Sequence, residues 1–490
     1  MLKKLLGQTA IYGLSTMLGR FLNYLLVRLH TGAFAPSDYG VVSELYAYSG
    51  FLSVLLIFGM ETGYFRFARG EHKEDVYPTA LIFLLSSSLF FFLVICALSP
   101  TLGNILHYQG HEYYFIWFAL ILGFDAIGAI AFARLRHDER PMRFATVKLL
   151  EIAINIGLNL FFLYFARNAY QAGQDSWLAS CYQPEIGVGY IFIANLVASA
   201  CKLLLLTPLF FDFRWKFNSL LFKDLIRYSL PMVPIGLAGI INETFDRPML
   251  KFLLPYDEAT NMAQVGIYSA CYKISIVMSL FIQAYRYAAE PFFFKQSGQQ
   301  HAKQLFADVM HFFVLFCCII FLLVTLFLPY FKFFIGRPEY YEGLKIVPVL
   351  LMANLCLGMY VNLSVWYKLT DRTGLGAWVA VGGAVLTLVL NYWLIPVMGY
   401  MGAAWATLAC YGSMAAVSYV LGQKYYPVPY GAAVILCYLG AALAVYAVSL
   451  YWQWQPGGWP LSAALLWIGF IVFAVLMWRF RISASSRVVV

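Results

Sequence analysis

Long apolar runs alternate along the chain with short polar breaks, and each run is close to the length that crosses a hydrocarbon layer. At 1.5 Å per residue, roughly 20 apolar residues cross such a layer as a helix. Runs bounded by charges or by Pro and Gly clusters predict spans near 8–29, 39–60, 78–99, 114–133, 143–165, 188–210 and 227–247. Seven more follow near 264–285, 308–329, 344–367, 375–396, 401–422, 430–451 and 459–478. The first run is too long for a cleaved signal peptide and is interrupted by Arg20, Asn23 and Arg28. No small-residue cleavage site follows it, so it is expected to stay as helix one. The predicted fold class is an all-α polytopic membrane protein of about 14 transmembrane helices.

Composition narrows the function. Of 490 residues, 62% are hydrophobic and 12% charged, about half the charged fraction of a soluble protein. Mean hydropathy is +0.73. Such spans leave only short connections, which excludes a separate soluble enzyme domain, a nucleic-acid module or a disulfide scaffold. The net charge of +9 is then a matter of topology. With the N-terminus inside, 22 of the 33 basic residues fall in cytoplasmic loops and seven outside: Arg28, Arg167, Arg247, Lys251, Lys332, Arg337 and Lys345. Arg20, Lys148, Lys202 and Lys273 are left within the membrane. The bias supports an even number of spans with both termini cytoplasmic, and twelve spans fit that phase as well as fourteen. Eight of nine cysteines lie in apolar runs. Cys181, in an outer loop, has no outer partner there. No P-loop pattern is present, so ATP is not bound in that way.

Three weak internal echoes occur in the same order in both halves. Leu5-Leu6-Gly7-Gln8-Thr9 matches Leu225-Ile226-Arg227-Tyr228-Ser229, and Tyr39-Gly40-Val41-Val42-Ser43 matches Val265-Gly266-Ile267-Tyr268-Ser269. Asn159-Leu160-Phe161 with Gly187-Val188-Gly189-Tyr190 matches Asn391-Tyr392-Trp393 with Gly399-Tyr400-Met401-Gly402. They predict an N-lobe of six helices over 1–210, a basic cytoplasmic linker over 211–223 and a C-lobe of six over 224–422. Two extra helices and a basic tail follow over 423–490. With six spans each, the lobes are related by an axis along the membrane normal.

Gln8-Thr9-Ala10-Ile11-Tyr12-Gly13, Pro36-Ser37-Asp38-Tyr39-Gly40, Trp366-Tyr367-Lys368-Leu369-Thr370 and Gly399-Tyr400-Met401-Gly402-Ala403-Ala404 resemble the bacterial polysaccharide-biosynthesis (Wzx-type) flippases over essentially the whole chain. That family shares a superfamily with lipid II flippases and multidrug and toxin extrusion exporters. The resemblance implies two lobes around a central cavity that opens alternately to either face of a bacterial inner membrane. It also implies outward movement of an undecaprenyl-diphosphate-linked oligosaccharide, with no catalytic chemistry. Polysaccharide polymerase or assembly proteins are the implied partners besides the lipid substrate. For lipid-linked substrates it implies basic groups from helices one, two and eight around the cavity. Here helix one supplies Arg20 and Arg28, and helix eight Lys273 and Arg286, whereas helix two carries Glu44 and Glu61.

Charges within a membrane are costly, so the polar residues inside the spans are the site candidates. Arg20 shares a helix face with Thr16 and Asn23. It suits a diphosphate, to which guanidinium donates two parallel hydrogen bonds, or else it pairs with a carboxylate such as Glu44. Lys148, Glu151, Asn155 and Asn159 form a stripe on helix five, with Asp125 near mid-membrane on helix four. These suit a coupling Na+ or H+; alternatively, Lys148 and Glu151 only neutralise each other at i, i+3. Asp125, having no evident partner, is the stronger ion candidate. On helix eight, Tyr272, Ser275, Ser279, Gln283 and Arg286 share a face that suits sugars or helix packing. Asn354 and Asn362 on helix ten are further cavity candidates.

At the outer end of helix seven, Glu243, Asp246 and Arg247, with Glu243 and Arg247 at i, i+4, form either an outer gate or an interfacial salt bridge. Pro231 and Pro234 predict a bend in that helix. His107, His111 and Glu112 lack metal-site spacing and read as a solvated loop, so no metal is expected. The alternatives are a cation-coupled exporter, for which Asp125 and Glu151 would outrank Arg20, and a lipid II flippase.

Overall fold

The structure, a computed structural model, describes residues 2–68, 73–296, 299, 301–452 and 459–487. The side chains of Lys3, Lys4, Arg69, Arg479, Arg481 and Arg487, and of Gln8 to Ile11 in the first motif, lie outside the described set. All regular structure among the described residues is helical, and each expected run falls on a helix. Eleven of these helices are long and apolar enough to cross a membrane, twelve when one bent pair is taken as a single span. The first and last of the fourteen expected spans are not in that set; in the last helix, Leu461–Met477 forms a shorter apolar stretch among the described residues.

The chain forms two compact units, Met1–Gly266 and Ile267–Val490. In the first lie α1 (Leu2–Ala33), α2 (Pro36–Ile57), α3 (Met60–Phe67), α4 (Lys73–Ile105), α5 (Tyr113–His137) and α6 (Pro141–Leu160). There follow α7 (Gly189–Leu206), α8 (Ser219–Ser229), α9 (Met232–Thr244) and α10 (Asp246–Leu253). Pro36 starts α2 where a missing N–H costs nothing, and left-handed Phe58 and Gly59 end it. The bend expected at Pro231 is present. The proline cannot donate to the preceding turn, and α8 and α9 meet at 42°. This span starts earlier than its apolar run, because the Asn218 side chain accepts from the Leu221 N–H at 3.1 Å and caps α8. Beyond α6 the helix continues through a π-helical stretch, Phe161–Ala166, into Arg167–Gln171.

The basic linker is pinned to this unit. Arg134 reaches Asp212 at 3.1 Å and the Leu209 carbonyl just before the linker at 2.9 Å, and Lys216 pairs with Asp75 at 3.0 Å. Further on, α8 packs on α3 and α4, and α9 and α10 on α2, which places the seventh span with the helices before it. A long helix, α11 (Glu258–Gln296), begins in this unit. Its Gly266 lies against Gly40 of α2: a Cβ on Gly40 would strike the Met262 carbonyl oxygen, and one on Gly266 the Pro36 carbonyl oxygen. The two backbones touch there because neither residue has a side chain.

In the second unit are α12 (Ala302–Leu326), α13 (Val347–Leu363), α14 (Thr373–Met398), α15 (Tyr400–Tyr425), α16 (Ala432–Trp452) and α17 (Trp459–Arg487). The α15 helix packs on α13 and α14, and α12 on α16. Gly399, at φ 60°, makes the tight turn between α14 and α15. Trp366 and Tyr367 dock on α15: the indole N–H donates to the Ser418 carbonyl at 3.2 Å, and the Tyr367 hydroxyl meets Ser418 Oγ at 2.6 Å. Two of the quoted motifs are thus a turn and a helix clamp.

Candidate functional site

The stripes expected on the first and fifth spans face each other inside the first unit. Asn155 of α6 donates to Asn23 of α1 at 3.4 Å, and Asn159 meets His30 at 2.8 Å while donating to the Asn155 carbonyl at 2.8 Å. Arg20, three residues before Asn23, is exposed on this side of α1, and Thr16 bonds back to the Tyr12 carbonyl. Arg20 does not pair with Glu44, whose contacts are taken elsewhere, and has no carboxylate partner among the described residues. Arg28 is also exposed on α1.

One turn below Asn155 the charges close into a network. Lys148 holds Glu151 at 2.8 Å, as the i, i+3 spacing predicts, and Glu151 also accepts from Lys202 of α7 at 2.9 Å. Lys202 pairs in addition with Asp125 of α5, which accepts from Ser199 at 2.9 Å. This corrects the expectation that Asp125 lacks a partner. The sequence placed Lys202 within the membrane but gave it no role, although its three-residue spacing from Ser199 puts both on one face. Two carboxylates and two ammonium groups balance, so desolvation is offset pair by pair. What remains on this polar side is the positive charge of Arg20.

A second buried cluster was not anticipated. Glu44 of α2, wholly buried, accepts from Lys251 of α10 at 3.0 Å, from the Tyr108 hydroxyl at 2.5 Å and from the Tyr48 hydroxyl at 3.0 Å. Lys251 also donates to the Leu106 carbonyl at 2.6 Å, and its ammonium lies 4.4 Å from the Tyr108 ring centroid. Loop 106–112, α2 and α10 are thereby tied at one end of the unit. At the expected outer gate, Arg247 pairs with Asp246 at 2.9 Å and donates to the Glu243 carbonyl, not to its carboxylate. Phe245, between α9 and α10, keeps helical dihedrals, and the Glu243 side chain is exposed. In the loop, His107 meets Glu258 at 3.0 Å and His111 meets Tyr113. No group of three metal-ligating side chains occurs among the described residues.

In the second unit, Tyr272 and Ser275 are buried, with Ser275 bonded to the Tyr272 carbonyl. Buried Asn354 donates to the Ser275 carbonyl at 3.4 Å, and Asn362 to the Tyr285 hydroxyl at 2.5 Å. Asn354 and Asn362 thus tie α13 to α11 through the Ser275 carbonyl and the Tyr285 hydroxyl. Ser279, Gln283 and Lys273 are half-buried, and Arg286 is exposed.

The architecture defines a class, a multi-pass helical membrane protein. Among solved structures, the lipid II flippase MurJ in its inward closed conformation matches 96% of this chain and 99% of its own, with TM-score 0.70 and 13% identity. A multidrug resistance MATE family transporter of the MOP superfamily is similar in its inward-facing conformation. There the TM-score is 0.60 at 13% identity, covering 82% of this chain and 93% of that one. The outward-facing conformation gives TM-score 0.58 at 13% identity, over 85% and 94%. Comparison with curated protein sequences gives no match. Residues 5–297 match the polysaccharide biosynthesis protein family, and the chain belongs to that family.

Proposed function

We propose that this protein is a flippase that moves a polyprenyl-diphosphate-linked oligosaccharide, a surface-polysaccharide repeat unit, to the outer leaflet of a bacterial inner membrane by alternating access. The observation that carries the reading is Arg20. It is exposed on a polar helix face beside a network that neutralises itself, which leaves one guanidinium for an anionic ligand. A guanidinium stays protonated when partly desolvated and binds phosphate oxygens in pairs. Asn23 and Arg28 on the same helix, and Lys273 and Arg286 of α11, are assigned to the same substrate path.

In this reading α1 and the last helix also cross the membrane, giving fourteen spans with both termini cytoplasmic. The substrate-moving lobes are 1–210 and 224–422. An H+ or Na+ gradient supplies the energy, with Asp125, Glu151, Lys148 and Asn155 as the coupling groups and no further cofactor. Asp125 is the member that an ion reaches, since its side chain is 42% exposed against 14% for Glu151. Glu243, Asp246 and Arg247 border the outer gate. Polymerase or assembly proteins receive the product, and the protein itself makes or breaks no covalent bond.

The test is mass spectrometry of the polyprenyl-diphosphate glycan pool in cells depleted of the protein, with sidedness read by an outer-face glycan-modifying enzyme. Accumulation of a protected intermediate supports the flippase and identifies the glycan. An unchanged pool overturns it in favour of a cation-coupled exporter. Arg20→Ala is expected to abolish transport with membrane insertion intact; wild-type transport by an inserted variant would remove the diphosphate assignment.

A further inference from the structure

We propose that the first unit holds a hydrocarbon chain in a cavity of about 250 Å³ enclosed by α2, α4 and α5. Its walls include Leu45 and Leu52 of α2, Phe91 and Ile95 of α4, and Phe118 and Leu122 of α5. Two polar side chains border it, and both are bonded elsewhere: Ser49 to the Tyr46 carbonyl at 2.8 Å, Tyr48 to Glu44 at 3.0 Å. A buried water needs two to four polar partners, and these walls offer it only two hydroxyl oxygens as acceptors and no donor, so the cavity favours an apolar occupant. It is larger than the ~150 Å³ apolar cavity that takes up benzene. Left empty, it would deprive its lining of dispersion contacts on one side.

The three enclosing helices are all long, apolar candidate spans, so hydrocarbon is what surrounds them. A lipid chain entering the cavity loses no hydration, since it leaves an apolar medium; its gain is close packing against the walls. The floor is the buried side of α5, at Phe118, Ala119 and Leu122, whereas Leu52, Phe91 and Ile95 on α2 and α4 are only half-buried. The slot therefore opens between α2 and α4. At one end it stops at Leu106, whose carbonyl accepts from Lys251 in the buried ionic cluster. Only a tail fits, and the head group stays outside. The chain comes either from the polyprenyl substrate, which rests on the flippase reading above, or from a bilayer phospholipid, which does not.

The experiment uses the full-length protein in phosphatidylethanolamine–phosphatidylglycerol vesicles. They are doped with either a diazirine-bearing polyprenyl phosphate or a phosphatidylethanolamine carrying a diazirine on its acyl chain, irradiated, and analysed by peptide mass spectrometry. Adducts are expected on the wall segments around Phe91, Ile95 and Leu52. They should fall to background in Ala119→Trp, which fills the cavity, and persist in Phe90→Ala on the exposed side of α4. Leu52→Trp fills the cavity from the opposite wall, so a folding failure of one variant leaves the other to decide. Cavity-dependent labelling by the polyprenyl probe assigns the substrate tail; labelling by the acyl probe alone assigns a bilayer lipid and leaves the flippase reading to the glycan-pool measurement. Wall labelling that is absent, or unchanged in both filled variants, overturns the proposal.

Discussion

Removing the cation from the Glu44–Lys251 pair is a sharp test of the first unit's packing. Glu44 is 0% exposed and Lys251 3%, with 3.0 Å between their charged atoms. In Lys251→Met the carboxylate keeps the hydroxyls of Tyr48 and Tyr108 but loses its ammonium, and the Leu106 carbonyl loses its donor. Breaking one side of such a buried pair costs about 3–5 kcal/mol, because a charge is left uncompensated in low dielectric. For a unit of this size that corresponds to a fall in apparent melting temperature on the order of 10 °C. The assay is thermal unfolding of the purified protein in detergent, followed by intrinsic fluorescence. Glu44→Gln with Lys251→Met removes both charges and leaves an amide that still accepts from the tyrosines. This double variant should recover most of the loss, giving a strong favourable coupling in the double-mutant cycle. If the single variant melts within about 2 °C of wild type, where surface-pair energies lie, Glu44 is solvated and the reasoning fails.

In Gly40→Ala the new methyl meets the Met262 carbonyl oxygen, so α2 and α11 must separate; a loss of about 1–3 kcal/mol is expected, against near-neutral Gly50→Ala, whose Cβ would meet only the Ile240 side chain at 3.5 Å. Equal melting temperatures for the two would refute the close approach. Lys202→Met leaves Asp125 and Glu151 without their shared cation and should cost several kcal/mol, whereas Asp125→Asn, at a half-exposed group, should cost at most about 1 kcal/mol. The reverse order in thermal melts would overturn the network as drawn. In loop 106–112, the backbone N–H groups of Glu112 and Gly110 hold the Glu112 carboxyl below its ordinary value of 4.5. Its contribution to loop order is therefore present above that value and lost as pH falls through the lowered one. Hydrogen exchange at Gly110 should rise only on that acidification, and Glu112→Gln should remove the pH dependence.

Run length and the placing of Pro and Gly carried most of the fold, because a helix that crosses hydrocarbon must satisfy its backbone internally and shows this as an uninterrupted apolar segment. The bend at Pro231 follows from a missing N–H, and the Lys148–Glu151 pair from helical spacing alone. Partners on different helices were not legible: Asp125 and Lys202 lie 77 residues apart, and Glu44 and Lys251 lie 207 apart. Which helices are neighbours decides such pairs, and periodicity within one helix carries no trace of it. For Glu243 and Arg247 the spacing brought the right residues together but did not select the atoms: Arg247 donates to the Glu243 carbonyl.

The contact between Gly40 and Gly266 joins the two positions that correspond in the internal echo. Each glycine depends on the other, and because neither can become smaller, a larger residue on one side has no compensating change on the other.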